Sequence, residues 1–505
     1  MITPEIGHRS PRTWISVAFI VGCLMLVACS DDVGSGPGDC PEGETWNPIS
    51  ETCTVGGDDH QQPGTDAGDP SPDDAGGDTD GVYQGPDAAG GCVGLECEQV
   101  QCDPDETQTA LTGTVTIPSG TLPLPDVTVY VPETPLQPIN HGASCVQCGA
   151  ELSAEPFVDT QTDVNGHFDL RDVPVGEDVP LVVEIGNWRK SATIQEVEPC
   201  AVNTVDPIKT RLPRNTDEGE MPQIAVSTGA WDAIECLIPK IGIDKSEITT
   251  DDGDGRVHLF TGEGGTDRFD DTMNDGAEFT DAYSWWTEAE NLLDYDILIN
   301  SCEGSAYDKG DGAYEAFQEF VDDGGRAFLS HWHSVWLRDG TSDMQSVADW
   351  GSTGAPGGFD ERATGFINDS FPKGERLQEW MYSTGTMPEG EFEIQDVRGS
   401  VGSLDEDLAQ DWVSVFDEPF MGSGIDEFIQ YFSFNTPVGV DDDQQCGRVV
   451  FSDIHVSADD DSSPSHPYPT GCTTEGLTDQ EKALVFMFFD LAACIIPDDK
   501  KKGDW

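Results

Sequence analysis

The first 28 residues set the conditions under which the rest of this chain folds. Arg9 and Arg12 precede an apolar run from Trp14 to Val27. That is a charged leader followed by a hydrophobic segment too short to span a bilayer comfortably. The pattern predicts a signal peptide over residues 1–28 and export from the cytosol. In an oxidising compartment the chain's 15 cysteines read as disulfides, not as a reduced thiol set. Their spacing leaves the connectivity open.

Leu26-Val27-Ala28-Cys29, followed at once by Ser30-Asp31-Asp32, resembles a bacterial lipobox. The resemblance implies cleavage before Cys29 and acylation of its thiol and freed amine. Lipid would then hold the protein at the cell envelope, at the outer membrane or cell surface, without a spanning helix. Setting aside Cys23 and Cys29 leaves 13 cysteines, an odd number, so at least one thiol is free or pairs between molecules.

Acidic side chains outnumber basic ones by 97 to 24, for a net charge of −73. Such a chain repels polyphosphates, which excludes nucleic acid as a partner. The excess is partly local, since no Lys or Arg occurs between Thr13 and Leu170. Residues 29–109 are rich in Asp, Gly and Pro and have too few large apolar side chains to offset the entropy of ordering, so a disordered acidic tether is expected. Two cysteine groups interrupt it: Cys40 with Cys53, read as a small stapled loop, and Cys92, Cys97 and Cys102, for which export favours disulfides over zinc.

The remaining length suits two domains. Leu111–Ile117 and Val127–Val131 alternate as strands, and Thr162-Asp-Val-Asn-Gly-His-Phe168 reads as a hairpin around an Asn-Gly turn. This order, with its "TDxxGxF" signature, resembles the carboxypeptidase regulatory-like (transthyretin-like) β-sandwich over about 110–213. An insertion there carries Cys145-Val-Gln-Cys148. No βαβ pattern surrounds it, so a structural disulfide involving Cys200 is expected in place of a redox site. Domains of this type are spacers or binding modules.

From about 221 to 496 short apolar strands alternate with helical patterns. Strands are predicted at Gln223–Ser227, Arg256–Thr261, Asp296–Ser301, Arg326–His331 and Arg448–Ile454. Helices are predicted at Trp231–Ile241, Tyr283–Leu293 and Ala313–Val321. A final one is signalled by the Thr478…Glu481 capping box. The alternation implies a parallel sheet covered on both faces, an α/β doubly wound domain with flavodoxin/amidotransferase-like order. Residues of about 340–443 lack clear periodicity and read as a long insertion before the last strand.

In such sheets ligands sit beyond the carboxyl ends of the strands. Reactive side chains fall there three times: Cys302 and Glu303, His331 and His333, and Asp453 and His455. His331 and His333, if extended, share a side, which with His455 suits a zinc ion or acid–base pair. Cys302 beside a histidine is a candidate thiolate nucleophile. Disulfide pairing of Cys302 and hydrogen-bonded core histidines are the competing expectations. Trp285 with Trp286, and Trp332 with Trp336, are candidate aromatic surfaces for a carbohydrate or protein ligand, core packing being the alternative. Asp251-Asp-Gly-Asp-Gly255 suggests calcium but lacks the closing Glu of an EF-hand loop.

"AYEAFQEFVDDGGRAFLSHWH" at 313–333 and "CGRVVFSDIH" at 446–455 resemble class I glutamine amidotransferase-like and ThuA-like (trehalose-utilisation) chains. Where the amidotransferases place a nucleophilic Cys after the central strand, this chain has Ser330-His331-Trp332, which counts against a glutaminase mechanism. Taken whole, the chain resembles bacterial surface lipoproteins that join a regulatory-like β-domain to an amidotransferase-like domain. The expected role is non-catalytic binding at the cell envelope. The alternative is a divergent hydrolase or metal-dependent enzyme using the strand-end cluster.

Overall fold

A computed structural model describes residues 44–47, 52–55, 94–148, 152–350, 362–387, 391–395, 397–416, 427–455 and 460–498. The leader, Cys29, Cys40, Cys92 and most of the expected tether lie outside the described residues. Within the N-terminal unit, Glu44–Asn47 pairs antiparallel with Thr52–Val55, setting Trp46 opposite Cys53.

Residues 94–109, expected as tether, are instead fastened to the next domain. Leu95 packs on its core, the Val175 N–H donates to the Glu98 carbonyl at 2.9 Å, and Cys102 is bridged to Cys200. Cys97 is also disulfide-bonded. Cross-linking offsets an ordering cost that composition alone would leave unmet.

The β-domain stacks a three-stranded sheet on a four-stranded one. In the first, Ala110–Thr114 lies between His167–Arg171 and Val202–Thr204. The second runs Pro156–Gln161, Thr128–Pro132, Gly176–Ile185, Trp188–Val197. The hairpin before His167 needs its glycine. Gly166 has φ +68°, and a Cβ there would lie 2.4 Å from the Val115 carbonyl oxygen. Cys145 and Cys148 correct the expected pairing, because Cys200 is taken by Cys102. They reach across to the second domain instead, as Cys145–Cys446 and Cys148–Cys494.

The α/β domain is built on one mixed sheet. Its main strands are β1 (Ile224–Ser227), β2 (Val257–Thr261), β3 (Ile297–Asn300), β4 (Arg326–Ser330), β5 (Arg362–Ile367), β6 (Phe392–Gln395), β7 (Gln410–Phe416), β8 (Glu427–Thr436) and β9 (Gly447–Ser452). They lie side by side in the order β2-β1-β3-β4-β9-β8-β7-β5-β6. The first five are parallel and the rest antiparallel. The stretch of weak periodicity is therefore no loop excursion: it supplies β5 to β8 and nearly doubles the sheet.

Alternation along each parallel strand divides the core. Ile224, Val226, Ile297, Ile299, Phe328 and Val450 face the side shared with the β-domain. Ala225, Leu298, Ala327, Leu329, Val449 and Phe451 face the opposite layer. The latter is covered by α1 (Asp311–Asp322) and short helical pieces, the former partly by α2 (Pro372–Ser383) and α3 (Asp479–Ala492). Both faces are thus dry, which is why these strands read as continuous apolar runs. The helix expected over Tyr283–Leu293 breaks into Ala282–Trp285 and Ala289–Leu293 at Glu288, whose backbone is extended (φ −124°).

Candidate functional site

Among the parallel strands the spatial order is second, first, third, fourth, last. The switch point lies between β1 and β3, where chain connections depart in opposite directions. Strand register places the next residues together: Asn300 is level with Leu329, and Ser330 with Ser452. Two residues beyond Asn300 comes Cys302, one beyond Ser330 comes His331, and three beyond Ser452 comes His455.

These three side chains converge. Cys302 Sγ lies 3.4 Å from His331 Nδ1, and one ligand atom from each of Cys302, His331 and His455 falls within 4.8 Å of the other two. The two imidazoles meet edge to face, centroids 4.9 Å apart at 86°. All three residues are buried, Cys302 completely. Cys302 is in no disulfide.

His331 is held there by its backbone. Its φ is +38°, in the left-handed region that a histidine rarely occupies, and the chain turns at once into a 3₁₀ turn over His331–Ser334. Such a conformation costs on the order of 1–3 kcal/mol and persists only where the surroundings enforce it. The Ser330 hydroxyl, donating to the buried Asp232 carboxylate from the loop after β1, pins the strand end just before it.

The same turn sends His333 elsewhere, correcting the expected His331/His333 pair. An extended chain would have put both on one side, and the left-handed residue ends the extension. His333 Nδ1 accepts from the Trp336 indole N–H at 2.8 Å, while its Nε2 is buried without a hydrogen bond, 4.0 Å from Glu303 Oε2. Glu303 belongs to this second knot. It accepts from the Lys309 ammonium, the Tyr283 hydroxyl (3.0 Å) and the Glu263 N–H (3.0 Å). Lys309 also sits over the Tyr283 and Trp286 rings, at 4.3 and 4.7 Å from their centroids.

Asp453 serves the scaffold. Its carboxylate accepts from the Ser400 N–H (2.9 Å) and hydroxyl (3.0 Å), tying residue 400 to the end of β9. Burial lifts its pKa to about 7. Burial, with the Asp232 charge adding to it, also pushes the Cys302 thiol well up, so it stays protonated. Both histidines of the 331–333 turn are held well below their ordinary pKa by burial; the His455 and Arg398 charges add to this at His331, the Lys309 charge at His333. Cys302 and His331 thus meet as a neutral thiol and a neutral imidazole, not as an ion pair of the kind that activates a cysteine.

The tryptophans are corrected in the same way. Trp285, Trp286 and Trp336 are buried, Trp285 stacked 3.9 Å from Phe260 and Trp286 edge-on to Trp336 at 5.2 Å. They are the packing of the layer beneath α1. Trp332 alone is half-buried, beside the His331 ring. A crevice of about 20 Å³ opens there, lined by His331, Trp332, Ser334, Arg338, Trp350 and Ser400. It has room for a single water. The calcium motif does not assemble: Asp251 and Asp252 accept from the Thr280 and Thr250 hydroxyls. Among the described residues the Cys302/His331/His455 group is the one cluster of metal-ligand geometry.

Sequence reasoning missed Lys309, Tyr283, Asp232 and Ser400. Only Lys309 left a signal, as one of few cations in an acidic chain. It missed as well a cavity of about 350 Å³ at the seam between the domains, floored by Leu124, Ile185, Phe486 and Phe489 and rimmed by Lys373 and Arg376.

No protein-family model matches the chain, and no curated protein does. Among solved structures, a putative ThuA-like protein from Bacteroides uniformis is similar at 10% identity, over 53% of this chain and 90% of that one, with a TM-score of 0.27. Another, from Parabacteroides merdae, matches at 10% identity over 49% and 85%, TM-score 0.25. A type II cohesin–X-dockerin complex from Acetivibrio cellulolyticus matches at 16% identity and TM-score 0.14, covering 21% of this chain and 56% of that one. The neighbours of this mixed α/β, multidomain chain thus include ThuA-like proteins, at partial coverage and low identity.

Proposed function

We propose that this is an exported cell-envelope lipoprotein, anchored through acyl chains on Cys29 and an acidic tether, whose folded part binds a small ligand without transforming it. The observation that carries the non-catalytic reading is the enclosure of the strand ends. Cys302 is wholly buried and protonated, and the crevice at its neighbour His331 admits a water, not a substrate. The carbohydrate or protein ligand expected of exposed tryptophans loses that support, since three of the four are core.

The seam cavity is the better receptor. Its volume lies in the range of small-molecule sites, and it sits at a domain junction where such sites concentrate. The floor is apolar. The rim brings Asp126, Glu375, Glu379 and Asp490 against Lys373 and Arg376, two acids in excess. That balance favours a compact apolar molecule with a cationic head. Calorimetry on the detergent-extracted full chain tests this with hexylammonium and hexanoate as probes. Hexylammonium is expected to bind saturably at one site and to weaken in Glu379→Lys, with hexanoate showing the reverse preference. No saturable hexylammonium binding, or binding indifferent to Glu379→Lys, refutes the cavity reading. The anchor has its own test: Cys29→Ser should shift the protein from membrane to soluble fractions.

A further inference from the structure

The Cys302/His331/His455 cluster needs an explanation that ligand binding at the seam does not supply. A folding chain gains little by setting a thiol and two imidazoles against one another in a dry core, and less by holding His331 at φ +38° to do so. We propose that Cys302 Sγ and one ring nitrogen each of His331 and His455 bind a zinc-class transition-metal ion.

Geometry supports the assignment first. Around a tetrahedral zinc, bonds of about 2.3 Å to sulfur and 2.0–2.1 Å to nitrogen place the donor atoms about 3.3–3.6 Å apart. Cys302 Sγ and His331 Nδ1 already stand at 3.4 Å. All three donors lie within 4.8 Å of one another, so closing on an ion takes rotamer adjustments of about an ångström, not a backbone rearrangement. The donor chemistry comes second. One thiolate and two imidazoles suit zinc and its soft neighbours and do not suit calcium or magnesium, which take oxygen ligands. Binding releases the thiol proton to solvent, leaving a +1 complex where a +2 ion and a neutral thiol had been.

Topology comes third. The donors come from the ends of three adjacent parallel strands, β3, β4 and β9, so the site is positioned by hydrogen-bonded strands inside the sheet. The water-sized crevice at His331 offers a fourth position that solvent can fill. The metal set expected from sequence, His331 with His333 and His455, is thereby revised: His333 leaves and Cys302 enters.

The test uses the full chain, extracted in detergent, stripped with a chelator and titrated with Co²⁺ and then Zn²⁺. One equivalent of Co²⁺ should produce a thiolate-to-cobalt charge-transfer band, and one equivalent of Zn²⁺ should abolish it. Cys302→Ser and His455→Gln should each weaken Co²⁺ binding by at least about 100-fold, since even outer-shell losses cost 10–100-fold. His466→Ala, at an exposed histidine paired with Asp461, should leave both affinity and band unchanged. Should one of the two cluster variants fail to fold, the other decides. The proposal is overturned by no stoichiometric uptake in the wild-type chain, by uptake without the charge-transfer band, or by a band that survives in the variants. It stands apart from the seam cavity, and loss of metal with hexylammonium binding intact would separate the two.

Discussion

Glu235 lies wholly inside the protein, and its Oε2 has no hydrogen-bond partner. Burial raises its pKa to about 7. The sign of the consequence follows from linkage: between about pH 4.5 and 7 the folded state holds a proton that the unfolded state has released, so stability falls as pH rises through that window. Above pH 7 the full penalty applies, on the order of 3 kcal/mol for a shift of this size. Glu235→Gln should therefore raise the urea midpoint markedly at pH 8 and little at pH 5; an equal gain at both would mean that burial of the charge is not the cause. Glu303 is the opposite case. Its carboxylate neutralises Lys309, whose side chain is entirely buried and whose ammonium burial alone pulls below its ordinary pKa. Glu303→Gln strands that cation and should cost about 3–5 kcal/mol by denaturant titration, whereas Glu303→Gln with Lys309→Met should recover most of it. At this scale the sequence placed the chemistry by position and misjudged its direction. Strand ends told where Cys302, His331 and His455 would come. Nothing in Ser330-His331-Trp332 betrayed a left-handed His331, so His333 was assigned to the wrong side, and Glu303 was not seen to belong to Lys309.

The α3 helix shows how local signals survive into the fold. Thr478 Oγ1 accepts from the Glu481 N–H, and the Glu481 carboxylate accepts from the Thr478 N–H at 2.8 Å, the reciprocal bonds foreseen from spacing. Glu481 also receives the Lys240 ammonium at 2.7 Å, which joins the cap to the short helix Leu237–Lys240 that follows β1. Thr478→Ala should cost about 0.5–2 kcal/mol, and Thr478→Ser should restore most of it. A thermal shift in the alanine variant no larger than that in an exposed control such as Glu475→Ala would remove the cap from the account. Elements buried on both faces, such as β1, β3, β4 and β9, were legible to within a residue or two, because a short apolar run between turns has few other solutions. The antiparallel half was not. β8, Glu427–Thr436, is nearly all buried and pairs on both sides, yet its Phe-Ile-Gln-Tyr-Phe-Ser-Phe run has no alternation to mark it. Buried Gln430 and Ser433 interrupt the apolar run that marks β1, β3, β4 and β9, so neither alternation nor an unbroken apolar stretch signals this strand.

At the scale of the whole folded unit, the two domains are joined by covalent clamps that no local reading could pair. Cys145 and Cys148, three residues apart in the β-domain insertion, bond to Cys446 just before β9 and Cys494 just after α3. The bridges span 301 and 346 residues of chain, and the loops they close share most of their length. With either bridge formed, the other closes a loop of only about 50 residues, and because loop-closure entropy grows logarithmically with length the second clamp removes somewhat less from the unfolded ensemble than the first. Replacing Cys145 and Cys446 with Ser, or Cys148 and Cys494, should each cost up to about 4 kcal/mol, the value for a loop of about 50 residues, whereas replacing all four also opens the long loop and should cost more than the sum of the two. Denaturant titration of the three variants measures that coupling directly. The seam gives a second readout. With both clamps gone, only side-chain contacts such as Trp380 Nε1 donating to the Pro123 carbonyl at 2.8 Å and Arg376 facing Asp126 at 3.4 Å hold the β-domain against α2. The cavity between Leu124, Ile185 and Phe489 should then open to solvent and hexylammonium affinity should fall, with either single clamp sufficient to preserve it. Strictly additive losses would mean instead that each bridge holds its own segment in place, and that the clamps do not act on the seam together.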